Sequence, residues 1–174
     1  MRDPEVKVGF VASAAALEEF AASAEADARR LVVGALVADD GGRIYLQRRS
    51  LTRELFPGRW DLVGGHAEAG ESVLQALARE LAEETGWQLT AVGPVVELLD
   101  WEAGGTRRRE IDLLVRAAGD LERPHLEQGK HDQGRWFGPA ALPLLEVDPH
   151  ADPWTLGVVA RGFQLLRSWR PSER

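Results

Sequence analysis

The segment from Gly65 to Trp87, GHAEAGESVLQALARELAEETGW, restricts the fold more than any other part of the chain. Ser72 and Gln75 have the spacing of a capping box, so the spacing predicts a helix that starts at Ser72. Gly86 is a natural left-handed stop at its far end. Each residue turns a helix by about 100°, which gathers Leu74, Leu77, Ala78, Leu81 and Thr85 into one sector that must meet a core. Glu80, Glu83 and Glu84 fall in the neighbouring sector, with the small Ala76 beside them to leave room. Three carboxylates on one flank repel one another, and near a helix C-terminus they also face the wrong end of its dipole. A solvated acidic face would tolerate them. A divalent cation would remove the penalty, and hard carboxylate oxygens suit Mg²⁺ or Mn²⁺. The loop bounded by Gly65 and Gly70, with Arg48, Arg49, Arg53 and Arg59 just upstream, favours the cation.

The surrounding chain reads as alternating strands and helices. Ser13–Ala28 is alanine-rich, with Leu17, Phe20, Ala21 and Ala24 at helical spacing. Leu31–Ala38 is a nearly continuous apolar run and predicts a buried strand. Asp39-Asp40-Gly41-Gly42 is a hairpin turn into a returning strand over Arg43–Arg48. A short strand over Trp60–Val63, further strands over Val92–Trp101, Arg109–Ala117 and Arg135–Phe137, and a polar loop over Glu122–Gly134 follow. Pro139–Leu145 reads as a short helix or turn, and Trp154–Trp169 as a closing helix with Leu156, Val159, Phe163 and Leu166 on one stripe. This order indicates α/β or α+β layering. The 174 residues fit one domain, divided here into an N-terminal extension over 1–30 and a main domain over 31–174.

Composition excludes several function classes. Cysteine is absent, which removes disulfides, thiolate metal sites and a cysteine nucleophile. The net charge of −7 argues against binding to a nucleic acid polymer. No apolar run is long enough to span a membrane. Lys7, Glu18 and Glu19 spoil any signal peptide, so a cytoplasmic protein is expected.

The same segment resembles the Nudix box, G-x5-E-x7-R-E-U-x-E-E-x-G-U, where U is a bulky aliphatic residue. Gly65, Glu71, Arg79, Glu80, Leu81, Glu83, Glu84 and Gly86 stand at the required positions. Trp87 replaces the last aliphatic residue, a change expected to alter packing and not chemistry. A looser resemblance runs from about Leu31 to about Leu145. The resemblance implies an α/β fold, an α/β/α sandwich around a mixed sheet, and a Mg²⁺- or Mn²⁺-dependent hydrolase that cleaves a nucleoside diphosphate linked to another group. It implies Glu80 and Glu84 as main metal ligands, with Glu83 as a further ligand or the base that activates water. Glu71 and Arg79 become an orienting pair, and Gly65 and Gly70 allow backbone shapes that a side chain would obstruct. Glu127, in the polar loop, is an alternative base outside the box. Dimers are frequent in the family, so a homodimer is the assembly that the resemblance suggests.

Other residues give weaker signals. Arg48 and Arg53 are candidates to clamp phosphate, with the Gly65 backbone beside them. His66 lies next to the acidic helix. His125, His131 and Asp132 lack the paired spacing of a metal cluster. Trp60, Trp101, Trp136 and Phe137 are stacking candidates whose default role is core packing. Arg135-Trp136-Phe137, Leu142-Pro143 and Asp152-Pro153-Trp154 look loosely like nucleoside-triphosphate members, which favours cleavage to monophosphate and pyrophosphate. Two readings compete. Gln47-Arg48-Arg49-Ser50 and Phe56–Asp61 resemble the isopentenyl diphosphate isomerase branch, which needs a cysteine, so a hydrolase of a non-nucleotide diphosphate is the form this alternative takes. A non-catalytic Nudix-fold binding module is the other, although such modules generally lack the box glutamates.

Overall fold

The protein is described by a computed structural model covering residues 7–171. Residues 1–6, part of the stretch weighed as a leader, lie outside it. Helix α1 (Ala14–Ala26) is capped by Ser13, whose side chain accepts from the Ala16 N–H. Strand β1 (Arg30–Val37) is one of the two inner strands of a four-stranded mixed sheet in the order β4-β1-β6-β5. It runs antiparallel to β4 (Val63–His66) and parallel to β6 (Thr106–Ala118), and β6 pairs antiparallel with β5 (Gln88–Ala103). A second, antiparallel sheet has the order β3-β2-β7, from Trp60–Asp61, Ile44–Arg49 and His131–Phe137. Helix α2 (Val73–Thr85) follows β4. A 3₁₀ turn, a short α3 (Leu142–Glu146) and α4 (Pro153–Leu166) close the chain.

Alternation along β1 and β6 explains the layering. Val33, Ala35, Val37, Ile111, Leu113 and Val115 point to one core with α1 and α2, where Leu17, Leu77 and Leu81 are buried. Leu36, Ala38 and Leu114 point to a second core under α4, with Val158, Val159 and Phe163. Both faces of β1 are therefore covered, as its continuous apolar run requires.

Three local expectations are corrected. The turn at Asp39–Gly42 forms, but β2 does not return along β1: only Ala38 and Ile44 bridge before the strands part into different sheets. Both edges of β1 are already taken by β4 and β6. The strand expected over Trp60–Val63 is divided at Leu62, because Trp60 and Asp61 pair with β2 whereas Val63 pairs with β1. Strand β7 begins at His131, inside the expected loop. Its alternation of buried His131 with exposed Asp132 and Gln133 has no apolar run to announce it. No helix among the described residues is long and apolar enough to cross a membrane.

Candidate active site

The acidic helix is fixed at both ends by its own sequence. Ser72 and Gln75 form the reciprocal capping box, and Gly86 takes a left-handed φ of 75° at the C-cap. The buried side of α2 includes Ala76, Leu77, Leu81 and also Glu80 and Glu84. The helical sectors are therefore rotated from the simple expectation: Ala76 packs in the core, and two of the three glutamates turn inward with it. Glu83 remains exposed.

Glu84 is the most enclosed of the three. Its Oε2 accepts from Gln47 Nε2 at 2.5 Å and from the Gly64 N–H at 3.0 Å. Its Oε1 lies 3.8 Å from His131 Nδ1. Burial pushes its pKa up to about 8, against the two hydrogen bonds that favour the charged form. Burial also raises Glu80, although Arg79 opposes the shift. Gly65 serves Glu80 through space and not through backbone shape, because a Cβ there would stand 2.5 Å from Glu80 Oε1. Gly70 does use a shape closed to most residues, at φ 84°.

Arg79 ties the loop to the helix. Its Nε and Nη2 donate to the two carboxylate oxygens of Glu71 at 2.8 and 2.9 Å, and Nη2 also donates to the His66 carbonyl at 3.0 Å. Its Nη1 reaches Glu80 at 2.9 Å and Glu83 at 3.1 Å. The hydrogen bonds from Arg79 hold the Glu71 carboxyl down to about 2. Glu71 and Arg79 are thus paired, and the arginine also occupies the space between two of the acidic residues.

A cavity of about 1230 Å³ opens beside this flank, bordered by Gly65, Glu80, Glu83, Glu84 and the loop before β3. Arg53 lines it, as do Arg30, Arg49, Arg59, Arg108 and Lys130. Arg48 does not: its Nε donates to Asp132 at 2.8 Å, and the lining arginine of that pair is Arg49. Glu127 pairs with Lys130 at 2.8 Å and is outside the lining. His66 does line the cavity. Its Nε2 accepts from Arg108 Nε at 3.1 Å, so in the neutral ring the proton sits on Nδ1. Burial, then Arg30 and Arg108, lower its pKa to about 4.

The three residues His125, His131 and Asp132 do not converge, since His125 and Asp132 are exposed. Of the stacking candidates, Trp101 and Trp60 line the cavity, whereas Trp136 packs on Tyr45 and on Trp87 in the core. Trp87 thereby takes up the expected packing role, with its Nε1–H on the Asp120 carbonyl. Lining residues that the sequence did not single out include Arg108, Lys130 and Glu110.

Among the described residues no three acidic or histidine side chains are gathered around one point as a bound metal would hold them. The donor set nonetheless fits a hard divalent cation. Glu80 and Glu84 are enclosed carboxylates with raised pKa values, and Gly65 clears the space in front of Glu80. A guanidinium already bridges Glu80 and Glu83, which shows that this gap accepts positive charge.

Comparison with known proteins agrees with this geometry. The NUDIX domain family matches residues 28–157. The E. coli ORF135 protein, a solution structure, is 31% identical with a TM-score of 0.60, over 83% of this chain and 95% of that one. Nucleoside triphosphatase NudI of Escherichia coli is 38% identical over 73 residues, 42% of this chain and 48% of that protein. The m7GpppN-mRNA hydrolase NUDT17 of Xenopus laevis is 45% identical over 60 residues, 34% of this chain and 20% of that protein. The matched stretches thus span half or less of these two curated relatives. The chain belongs to the Nudix hydrolase family.

Proposed function

We propose that the protein hydrolyses a phosphoanhydride bond in a nucleoside diphosphate linked to a further group, with a nucleoside triphosphate cleaved to monophosphate and pyrophosphate as the first choice. The observation that carries this reading is the placement of Glu80, Glu83 and Glu84 on the wall of a cavity that also holds Arg53, Arg59 and Lys130. A polyphosphate needs both a cation-holding wall and arginines that fork onto its oxygens. The similarity to nucleoside triphosphatase NudI supports the choice of substrate.

Glu80 and Glu84 would hold Mg²⁺ or Mn²⁺, with Glu83 as a further ligand or as the base. The bound cation would supply charge neutralisation of the phosphate and a lowered pKa for water. Arg79 would keep the Gly65–Gly70 loop in register with the helix. Arg53 and Arg59 would orient the phosphate chain for in-line displacement.

The test is a panel of nucleoside triphosphates, other nucleotide conjugates and isopentenyl diphosphate, incubated with Mg²⁺ and with chelator. Products are read by mass. Release of monophosphate and pyrophosphate that stops with chelator is expected. Turnover of isopentenyl diphosphate alone would favour the non-nucleotide branch, and no turnover of any compound would favour a binding module.

A further inference from the structure

The cavity has a second end that the phosphate chemistry leaves unused, on the sheet face opposite α2. Strand register defines it. His66, Val32, Glu110 and Leu99 form one cross-strand row, and Gly64, Gly34 and Asp112 form the next. Alternate residues of β6 share a face, so Glu110 and Asp112 stand side by side on the face that Val32, Gly34 and Leu99 present to the cavity. Asp112 is fully buried, no N–H or hydroxyl group of the described residues donates to either of its oxygens, and its hydrogen bond is with the neighbouring Glu110 carboxyl, through a shared proton. Its carboxyl leans over Gly34, into the space that any side chain at that cavity-lining position would fill. Asp61 adds a third carboxyl, anchored by Arg49 Nη1 at 3.0 Å and by the Leu62 N–H at 2.9 Å.

This floor offers carboxyl groups where the other end offers Arg53, Arg59 and Lys130, so it faces a different part of the ligand. The walls beside it are aromatic. Trp101 and Trp154 line the cavity, and the Phe56 ring lies 6.0 Å from the ring of Trp101. Phe56 is held at φ 51°, a conformation a bulky residue adopts rarely, and its side chain stays half exposed at the mouth. Aromatic rings beside carboxyl oxygens with lone pairs to spare match a heterocycle with N–H donors on its edge.

We propose that Glu110, with Asp112 behind it and Asp61 beside it, selects a nucleobase that carries an exocyclic amine, while Phe56 and the Arg108 guanidinium, which lies 4.6 Å over the Trp101 ring, supply the flat stacking surface. This rests on the nucleotide-hydrolase reading above and assigns the part of the substrate which that reading leaves open. Glu110 is oriented for the task. Trp101 Nε1–H donates to its Oε2 at 2.5 Å and its carboxyl also bonds Asp112, which fixes it at the cavity wall with lone pairs left over for the ligand. Burial keeps Glu110 near 7 and Asp112 well above the carboxylate range, so the floor holds protons as well as lone pairs. A hydrogen-bonding site of this kind rejects an analogue without the amine, because its own buried groups are then left unpaired.

The experiment compares kcat/KM for CTP with UTP and for GTP with ITP, in the wild type and in Glu110→Gln. In the base class hydrolysed faster, the amine-bearing member is expected to lead by at least about tenfold. In Glu110→Gln the amide oxygen keeps the Trp101 bond, so its NH₂ replaces Oε1. The preference should then collapse or turn toward the oxo base. Equal kcat/KM within both wild-type pairs would overturn this proposal and leave the hydrolase reading standing. An unchanged ratio in a folded variant would remove Glu110 from the selection. Hydrolysis of no nucleotide would remove both readings. If Glu110→Gln does not fold, the wild-type ratios alone decide.

Discussion

At the residue scale, Glu84 joins the fold to the chemistry. The carboxyl is buried, and its Oε2 takes two donors, from Gln47 and Gly64. With a pKa near 8 it is mostly protonated at neutral pH in the cation-free protein. Glu84→Gln has nearly the shape of that protonated form, and its carbonyl can accept both donors. The variant should therefore fold with stability within about 1 kcal/mol of the wild type. Turnover should fall by roughly a hundredfold or more, because a neutral amide is a poor partner for a hard cation. Thermal melts and initial rates check this, and near-wild-type turnover would take Glu84 out of the mechanism. Gly65→Ala offers a complementary measurement. The atoms nearest the added methyl belong to the movable end of Glu80, so stability should change little while the rate drops as Glu80 is displaced. A variant that melts far below the wild type would mean that Gly65 is needed by the backbone instead.

At the scale of elements, the link between the Gly65–Gly70 loop and α2 runs through Glu71 and Arg79. The guanidinium is forked onto the carboxylate and bonded to the His66 carbonyl, so the two residues hold the loop as one unit. Loss of either should lower the melting temperature by a few degrees and the rate by at least about tenfold. The double variant should be little worse than the more damaging single one. Fully additive losses in a double-mutant cycle would mean that the two residues act independently. This pair was legible only through the resemblance of its segment to the Nudix box, since a separation of eight residues brings the two together only if the loop folds back onto the helix. The capping box, the left-handed Gly86 and the glutamate flank were legible from spacing, because each lies within a single helix. The floor of the cavity was not. Glu110, Asp112 and Gly34 meet only through the parallel pairing of β1 with β6, and no local period reports that pairing. One signal was present: Asp112 interrupts the apolar run Ile111–Val115, and a charge there must either be satisfied or serve a ligand. The split between the two sheets was equally hidden, since the turn at Asp39–Gly42 looks the same whether the strands stay paired or part.

At the scale of the whole molecule, buried titratable groups on both sides of the cavity give folding a defined pH dependence. Burial lowers His66 and His131 to about 4. The unfolded chain therefore binds more protons at these two sites between about 4 and 6.5, and their contribution to stability grows with pH across that window. The buried carboxyls act in the opposite sense. Glu84 is raised to about 8 and Glu110 to about 7, with Asp112 and Asp61 also shifted upward by burial. The folded state binds more protons at these sites, so stability is lost as pH rises from the unfolded carboxylate range through the folded values. Between about 4.5 and 6.5 the two trends offset each other. Above about 6.5 the unfolded histidines lose the rest of their protons within one pH unit, and the carboxyl trend dominates. Cation-free protein should therefore lose on the order of 2 kcal/mol between pH 6.5 and 8, which urea denaturation at fixed ionic strength can measure. Saturating Mg²⁺ should reduce the loss, because a cation held by Glu80 and Glu84 replaces the proton on Glu84 and binds more tightly as pH rises. Glu84→Gln should reduce it without the cation. The part due to Glu110 should persist in both cases, since it lies on the opposite side of the cavity. A stability profile that is flat from pH 6.5 to 8 in cation-free wild type would show that these carboxyls are not protonated in the folded protein.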